Sequence, residues 1–345
     1  MHRFAAAPTL RWGPPSRVLA RSSAARWKTA SRSCLPFPSS FANDGHYRLF
    51  CSRPSNVQII ESVSEMRQAR KQMGEKCVGF VPTMGALHEG HLSLAREASS
   101  ECDEVVVSIF VNPTQFAPGE DLDKYPRDLD GDIKKLSDVE KVTTVFFPSV
   151  QEMYPQDGAD VFVGVDNIED RLAEGQCRPG HFRGVATVVT KLFNIVQPTK
   201  AYFGQKDGGQ CILIRKVVEE LKIDTKIQVV PTKREEDGLA MSSRNMYLSD
   251  EERPHAAVLF KALKSMEQEY SEGLHSAGHL LDVGKSVISE DNKTSLLYLD
   301  VSYADNGKPL ENDEIVTGDR PVMISGAVKL GSTRLIDNLT LGQFL

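Results

Sequence analysis

The sequence lacks an apolar run long enough to span a bilayer. None of its uninterrupted apolar stretches approaches the roughly 20 residues that a transmembrane helix requires. Its 345 residues carry a formal net charge of -6, so the chain as a whole has no electrostatic attraction to nucleic acid. This length suits one large or two medium domains, and the hydrophobic fraction of 40% is ordinary for a globular protein. We therefore expect a globular protein whose partners are small molecules, not membranes or nucleic acids.

Two familiar site signatures are also missing. The six cysteines form no Cys-x-x-Cys pair and no cluster with histidine at zinc spacing, which predicts reduced, mostly structural thiols and no zinc bound by cysteine. No Gly-x-Gly-x-x-Gly follows a strand-like run, which disfavours an NAD-dependent dehydrogenase. Any phosphate-binding site must therefore be built locally from other residues.

Acidic residues are absent from the N-terminus. The first 43 residues contain seven Lys or Arg, many Ala and Ser, and no Asp or Glu. This composition is typical of an organelle transit peptide, so residues 1–50 are expected to lie outside the fold. The expected destination is the mitochondrion, with a plastid or the cytoplasm as alternatives. A disordered basic tail without a targeting function remains an open alternative.

Short apolar runs alternate with helical periodicity in the next part of the chain. Strand-like runs occupy 77–82, 104–111, 143–148, 201–204 and 226–231. Between them, an apolar stripe at helical spacing is formed by Val185, Val188, Val189, Leu192, Phe193 and Val196, with Pro198 as a stop. This alternation predicts an α/β fold with a doubly wound, Rossmann-like parallel sheet over residues 51–232.

The remainder, residues 233–345, has a different pattern. Ser249 and Glu252 have capping-box spacing and predict a helix that runs toward Gly273, followed by further helical residues over 276–289. Three strand-like runs then follow: SLLYLDVSYAD, PVMISGAVKL and TRLIDNLTL. We predict a smaller α+β domain with an antiparallel sheet, which serves as a lid.

The segment PTMGALHEGH places two histidines at the first strand-to-helix turn. The strand is expected to end at Pro82 and the helix to begin near His91. A helix N-terminus offers unpaired backbone N–H groups and positive dipole character, both of which attract phosphate. The imidazoles of His88 and His91 would add N–H donors at the same place. The segment therefore predicts a phosphate site.

This segment resembles the His-x-Gly-His signature of the nucleotidyltransferase and class I synthetase superfamily. Together with the segments named below, residues from about Ile60 to Leu341 resemble the pantoate-beta-alanine ligase family. The resemblance implies condensation of pantoate with beta-alanine to pantothenate, through a pantoyl adenylate, with release of AMP and pyrophosphate. It also implies ATP as a substrate, Mg2+ held mainly by the ATP phosphates, and a homodimer formed through the first domain.

The resemblance implies an ATP site that is assembled from four segments. The catalytic residues would be His88, His91, Lys206 and Arg244. The full ATP-binding set would be Met84, Gly85, His88, Gly90, His91, Gly204, Lys206, Asp207, Lys233, Met241, Ser242, Ser243 and Arg244.

The resemblance also implies a site for pantoate and beta-alanine. Its residues would be Asn112, Gln115, Arg178, His181 and Gln210, and Arg183 would be either a neighbour or a surface charge. A neutral amide suits this role because it can hold a carboxylate without a strong ion pair.

Gly208 and Gly209 depart from the family pattern, which has an aromatic residue and a glutamine in these places. The glycines are expected to free the backbone and to remove packing beneath the loop, so that restoring the larger side chains would do no harm. This departure leaves open a catalytically impaired ATP-binding homologue. The other alternative is an adenylyltransferase of the same superfamily.

Overall fold

A computed structural model of the protein describes residues 57–155, 160–164, 166–273 and 275–342. The predicted transit peptide lies outside these residues. Within them, no helix is both long and apolar enough to cross a membrane.

The first sheet has six strands that are all parallel. They are β1 (Gln58–Ile60), β2 (Val78–Thr83), β3 (Glu104–Ile109), β4 (Val142–Phe146), β5 (Lys200–Gly204) and β6 (Lys226–Val230), in the order β1-β4-β3-β2-β5-β6. The five predicted strands are confirmed. The edge strand β1 was not predicted, because its three residues are too few to show a period.

Helices cover this sheet. They are α1 (Val63–Met73), α2 (Glu89–Glu101), α3 (Leu129–Ser137), α4 (Val150–Met153), α5 (Asp166–Arg171), α6 (Ala173–Cys177), α7 (His181–Val196) and α8 (Gly208–Leu221). The predicted apolar stripe of α7 is fully buried against the sheet core. This helix ends before Pro198 because Gln197 adopts a left-handed φ of 46°.

The strand order creates a crevice between β2 and β5. These strands are neighbours in the sheet, but the chain runs outward from β2 in one direction and from β5 in the other. At such a switch point the loops at the carboxyl ends of the strands separate and leave room for a ligand. The histidine segment follows β2, and Lys206 follows β5. The fold therefore brings these two motifs together.

The C-terminal part contains α9 (Val258–Glu272), α10 (Ala277–Ser289) and an antiparallel sheet of β7 (Thr294–Tyr303), β8 (Val322–Leu330) and β9 (Thr333–Leu341). The two helices and the sheet share an apolar core of their own. The predicted α+β pattern is confirmed.

The predicted start of the first of these helices at Ser249 is wrong. Both capping-box hydrogen bonds between Ser249 and Glu252 are present, but they close a single turn. A 3-10 turn at Arg253–His255 follows, and its N-cap residue Glu252 makes no side-chain capping bond. Pro254 has no N–H to continue an α-helical ladder, so α9 begins only at Val258.

Candidate active site

A cleft opens at the carboxyl ends of β2 and β5, where residues of both strands line it. The structure brings all but one of the predicted site residues to its wall: Met84, His88, Gly90, His91, Asn112, Gln115, Arg178, His181, Gly204, Lys206, Asp207, Gln210, Lys233, Met241, Ser242, Ser243 and Arg244. Gly85 is the exception. Arg183 lies exposed with its guanidinium 4.7 Å from the ring centre of Phe162, which agrees with a surface charge.

Three helices begin at this cleft. His88 caps the N-terminus of α2, His181 opens α7, and Asp207 precedes α8. The N-terminal N–H groups and dipoles of these helices give the cleft a positive potential. An anionic ligand such as a triphosphate fits this field.

The two histidines of the motif cap α2 reciprocally. The backbone N–H of Gly90 donates to His88 Nδ1 at 3.1 Å, and the backbone N–H of His88 donates to His91 Nδ1 at 3.4 Å. A ring nitrogen that accepts a hydrogen bond carries no proton, so each neutral ring is protonated on Nε2. Both rings can therefore offer an Nε2–H donor.

Both rings are neutral at physiological pH. Burial, with a contribution from the Lys206 ammonium, lowers the pKa of His88 to about 4. Burial and the neighbouring His88 lower the pKa of His91 to about 3. The rings therefore act as neutral hydrogen-bond donors and not as cations.

A buried carboxylate holds the turn before these histidines. Asp132 of α3 is 1% exposed, and it accepts hydrogen bonds from the backbone N–H groups of Ala86 at 2.8 Å and Leu87 at 2.7 Å. Gly85 has a φ of 84°, and a side chain there would meet Asp132 Oδ2 at 3.2 Å. Gly85 thus contributes the shape of the turn. Asp132 is a site-supporting residue that the sequence did not reveal.

Asn112 orients Gln115. The Asn112 amide is 1% exposed, and its Nδ2 donates to Gln115 Oε1 at 3.0 Å. Its own Oδ1 accepts from Tyr154 Oη at 2.8 Å, which fixes the direction of the amide. Since Gln115 Oε1 is engaged, Gln115 Nε2 is the group that can donate to a ligand carboxylate; it lies 3.4 Å from Met84 Sδ.

Arg178 is engaged by other protein groups. Its guanidinium donates to both carboxylate oxygens of Glu120, at 2.8 and 2.7 Å, and lies 2.9 Å from His181 Nε2. His181 Nδ1 lies 2.9 Å from the carbonyl oxygen of Gln115, so the imidazole is protonated on Nδ1. Burial and the Arg178 charge lower the pKa of His181. This network positions Gln115 from its backbone side.

Arg244 forms a bidentate ion pair at the mouth of the cleft. Its Nε and Nη2 donate to Asp121 at 2.9 and 2.8 Å. Beside it, Ser243 Oγ donates to the carbonyl of Ala86 at 3.1 Å and so joins this loop to the histidine turn. The Ser242–Arg244 loop is therefore held against the turn that precedes His88 and His91.

The C-terminal sheet supports the lysine loop. Asn338 of β9 is 2% exposed, and its Nδ2 donates to the carbonyls of Gln205 at 2.7 Å and Lys206 at 2.8 Å. Lys206 Nζ lies 3.3 Å from Asp207 Oδ1. Asn338 thus fixes the backbone from which the Lys206 ammonium enters the cleft.

The expectation that two glycines loosen this loop is wrong. Gly208 and Gly209 are buried in the first turn of α8, and Gly208 has ordinary helical angles. A Cβ at Gly208 would lie 2.5 Å from Met323 Sδ and 3.0 Å from Asn338 Nδ2, and one at Gly209 would lie 3.1 Å from Phe182 Cζ. Side chains from elsewhere in the fold therefore fill the space that glycine leaves.

Comparison with known proteins identifies the family of the chain. The family described as pantoate-beta-alanine ligase matches residues 58–340. A pantothenate synthetase of Thermodesulfovibrio yellowstonii is 49% identical over 285 residues, which cover 82% of this chain and 99% of that protein.

Solved structures extend the agreement to the fold. The crystal structure of pantothenate synthetase from Thermus thermophilus has a TM-score of 0.74 and 42% identity, covering 83% of this chain and 100% of that one. A pantoate-beta-alanine ligase from Francisella tularensis, complexed with beta-gamma ATP and beta-alanine, has a TM-score of 0.67 and 36% identity, with coverage of 82% and 97%. These matches confirm the predicted family: the chain belongs to the pantoate-beta-alanine ligase family.

Proposed function

We propose that this chain condenses pantoate with beta-alanine to form pantothenate, consuming ATP and releasing AMP and pyrophosphate. The observation that carries the proposal is the meeting, in one cleft, of the neutral Nε2–H imidazoles, Lys206 and the Gln115 amide nitrogen, which contacts the weakly accepting sulfur of Met84. The imidazoles and Lys206 suit a triphosphate, and the Gln115 amide suits a carboxylate. A carboxylate has a poor leaving group, so it must be activated before an amine can displace it.

The first step is attack of the pantoate carboxylate on the α-phosphorus of ATP, with pyrophosphate as the leaving group. Negative charge grows on phosphate oxygens, so catalysis depends on positioned N–H donors and cations more than on a nucleophilic side chain. His88 and His91 supply the neutral donors, and Lys206 and Arg244 supply the positive charge. The remaining predicted ATP-binding residues, from Met84 to Ser243, shape the same end of the cleft.

Pantoate lies against the opposite wall in this proposal. Gln115 Nε2 and Gln210 hold its carboxylate without a full ion pair, so the oxygen stays nucleophilic. Asn112 and His181 act on it through Gln115 by the hydrogen bonds already described. Arg178 acts through the same residue, because its Nη2 donates to the Gln115 carbonyl oxygen at 3.4 Å. In the second step the neutral amine of beta-alanine attacks the acyl carbon, and AMP leaves.

The residues of the cleft fit Mg2+ bound to the ATP phosphates. Two carboxylates line the cleft, Glu174 and Asp207, and Glu174 is already paired with Arg178 and Arg334. Asp207, beside Lys206, could give the ion one oxygen ligand. When bound, Mg2+ would reduce the charge of the phosphates.

The transit peptide, its mitochondrial destination and the homodimer are further parts of the proposal, and they rest on sequence and resemblance. The acid-free, basic N-terminus supports a transit peptide and import into the mitochondrion, which a fluorescent fusion of the full chain would test. The family resemblance supports a homodimer through the first domain, which light scattering would test. A monomer by light scattering would contradict that assembly.

Steady-state product analysis tests the proposed reaction. We expect AMP and pantothenate to form in equal amounts, and only when ATP, pantoate and beta-alanine are all present. A product that retains AMP would support the adenylyltransferase alternative. ATP binding without any pantoate-dependent pyrophosphate release would support the impaired homologue.

A further inference from the structure

Three side chains with metal-binding atoms converge in the C-terminal part of the chain. They are Glu269 on α9, His275 in the connection, and His279 in the first turn of α10. One ligand atom from each lies within 4.8 Å of the other two. None of the three lines the active-site cleft.

The distances are close to those of a coordination shell. Glu269 Oε2 lies 3.1 Å from His279 Nε2 and 3.9 Å from His275 Nε2. Ligand bonds of about 2.0–2.1 Å in a tetrahedral zinc site place neighbouring ligand atoms roughly 3.3 Å apart. Small side-chain rotations would therefore bring all three atoms onto one ion.

The backbone that carries the two histidines is held in place. The carbonyl of His275 accepts from Val316 N–H at 3.0 Å, and Ala277 N–H donates to Glu314 O at 2.9 Å. Ser276 caps α10 by accepting from the His279 N–H at 3.2 Å. The ligand atoms are thus presented by a fixed backbone, which lowers the entropic cost of binding an ion.

Glu269 is the one carboxylate near both His275 and His279 in the cluster, and it cannot neutralise two protonated rings. The imidazoles of His275 and His279 are stacked with their centroids 4.7 Å apart, so two protonated rings would repel each other. An ion between the rings and Glu269 would use both nitrogen lone pairs at once. The side chains are 28%, 47% and 37% exposed for His275, His279 and Glu269, which leaves space for water to complete the shell.

We propose that Glu269, His275 and His279 form a binding site for a divalent transition-metal ion, with Zn2+ as the ion that fits the donor set. Two imidazoles and one carboxylate suit zinc, whereas Ca2+ and Mg2+ prefer oxygen ligands alone. The ion would tie the C-terminal turn of α9 to the first turn of α10. Because only the folded chain presents the three ligands together, the ion would stabilise the fold.

Zinc titration of the full chain, stripped of metal with EDTA, tests this site by calorimetry. We expect one Zn2+ per chain, and Co2+ in its place should give the intense visible absorption of a four-coordinate site. Since loss of a group that merely supports a ligand weakens metal affinity about 10- to 100-fold, loss of a ligand should weaken it at least as much. Glu269→Gln and His279→Ala should therefore each weaken zinc binding at least roughly 10-fold.

Two controls locate the ion. His255→Ala removes a histidine of comparable exposure that pairs with Asp291 at 2.7 Å, and it should leave zinc binding unchanged. The double variant His88→Ala/His91→Ala removes a second close pair of imidazoles, in the cleft, and should also keep the Co2+ spectrum. Zinc should raise the Tm of the parent chain but not of Glu269→Gln, whose metal-free Tm should match the parent.

The proposal is overturned by absence of zinc binding, or by equal affinity in the parent and Glu269→Gln. Loss of the Co2+ spectrum in the His88/His91 double variant would also overturn it, because the ion would then lie in the cleft.

Discussion

The side-chain amide of Asn338 donates to the backbone carbonyl of Lys206 at 2.8 Å, across 132 positions of sequence. This bond joins the C-terminal sheet to the loop that carries the proposed ATP lysine. Asp337, its neighbour on β9, forms an ion pair with Arg234 at 2.5 Å, just ahead of the Met241–Arg244 segment. One strand of the second sheet therefore fixes two loops that are proposed to contact ATP.

Replacing Asn338 with Ala should weaken ATP binding. Two hydrogen bonds to buried carbonyls would be lost, each contributing about 0.5–1.5 kcal/mol, so the KM for ATP should rise roughly 10-fold. The KM for pantoate should change much less, because Gln115 is held by different residues. Steady-state kinetics with each substrate varied in turn would measure both. Exposed Asn292→Ala is the matched control, and equal rises in both KM values would contradict this role.

Gly208 should tolerate no side chain while Met323 is present. Gly208→Ala places a Cβ 2.5 Å from Met323 Sδ and should cost about 1–3 kcal/mol of unfolding free energy through overpacking. Met323→Ala alone should also destabilise, because it leaves a cavity. The double variant should be more stable than the sum of the two changes predicts. Urea denaturation would show this coupling, and strictly additive losses would argue against the contact.

The two motif histidines should make the fold sensitive to acid. Their folded pKa values of about 4 for His88 and about 3 for His91 lie below the value of about 6.5 expected in the unfolded chain. As pH falls below about 6.5, the unfolded state binds protons that the folded state does not, so stability falls until about pH 3–4. Above pH 6.5 this contribution is fully present. Unfolding free energies measured from pH 7 to pH 4 should fall less steeply in His91→Asn than in the parent; identical slopes would contradict the buried, neutral state of His91.

Asp121 should compete with ATP for Arg244. Their partly exposed bidentate pair must open before the guanidinium can reach a phosphate. If the pair contributes about 1 kcal/mol, Asp121→Asn should lower the Kd for ATP roughly 5-fold. Isothermal titration with a non-hydrolysable ATP analogue would measure this, with Asp123→Asn as a control at an exposed carboxylate nearby. Weaker ATP binding in Asp121→Asn would instead mean that Asp121 orients Arg244.

Local patterns predicted five of the sheet strands, the stripe of α7 and the strand-to-helix turn that carries the two histidines, because each depends on neighbours within about a dozen residues. Both histidines and the N-terminus of α2 lie within the four residues from His88 to His91, so one short segment was enough to predict their proximity. Contacts between residues that are distant in sequence are not indicated by any local sequence pattern. Asp132 lies 45 positions from Leu87, and nothing around Asn338 indicates its bond to the lysine loop.

The double glycine illustrates the same limit. Sequence comparison with the family pattern showed that two side chains were missing at Gly208 and Gly209. It could not show that Met323 and Phe182, from distant elements, fill the space. Strand β1 and the late start of α9 were missed for local reasons. The strand is too short to show a period, and the capping box of Ser249 and Glu252 caps only a single turn.

Oxygen transfer tests the proposed acid activation most directly. Pantoate labelled with 18O in its carboxylate would be turned over with ATP and beta-alanine, and the products separated for mass spectrometry. If the carboxylate attacks the α-phosphorus and the amine then displaces AMP, one 18O should appear in each AMP and none in pyrophosphate. Unlabelled AMP, or label in a phosphate released from the γ position, would contradict the pantoyl-adenylate mechanism.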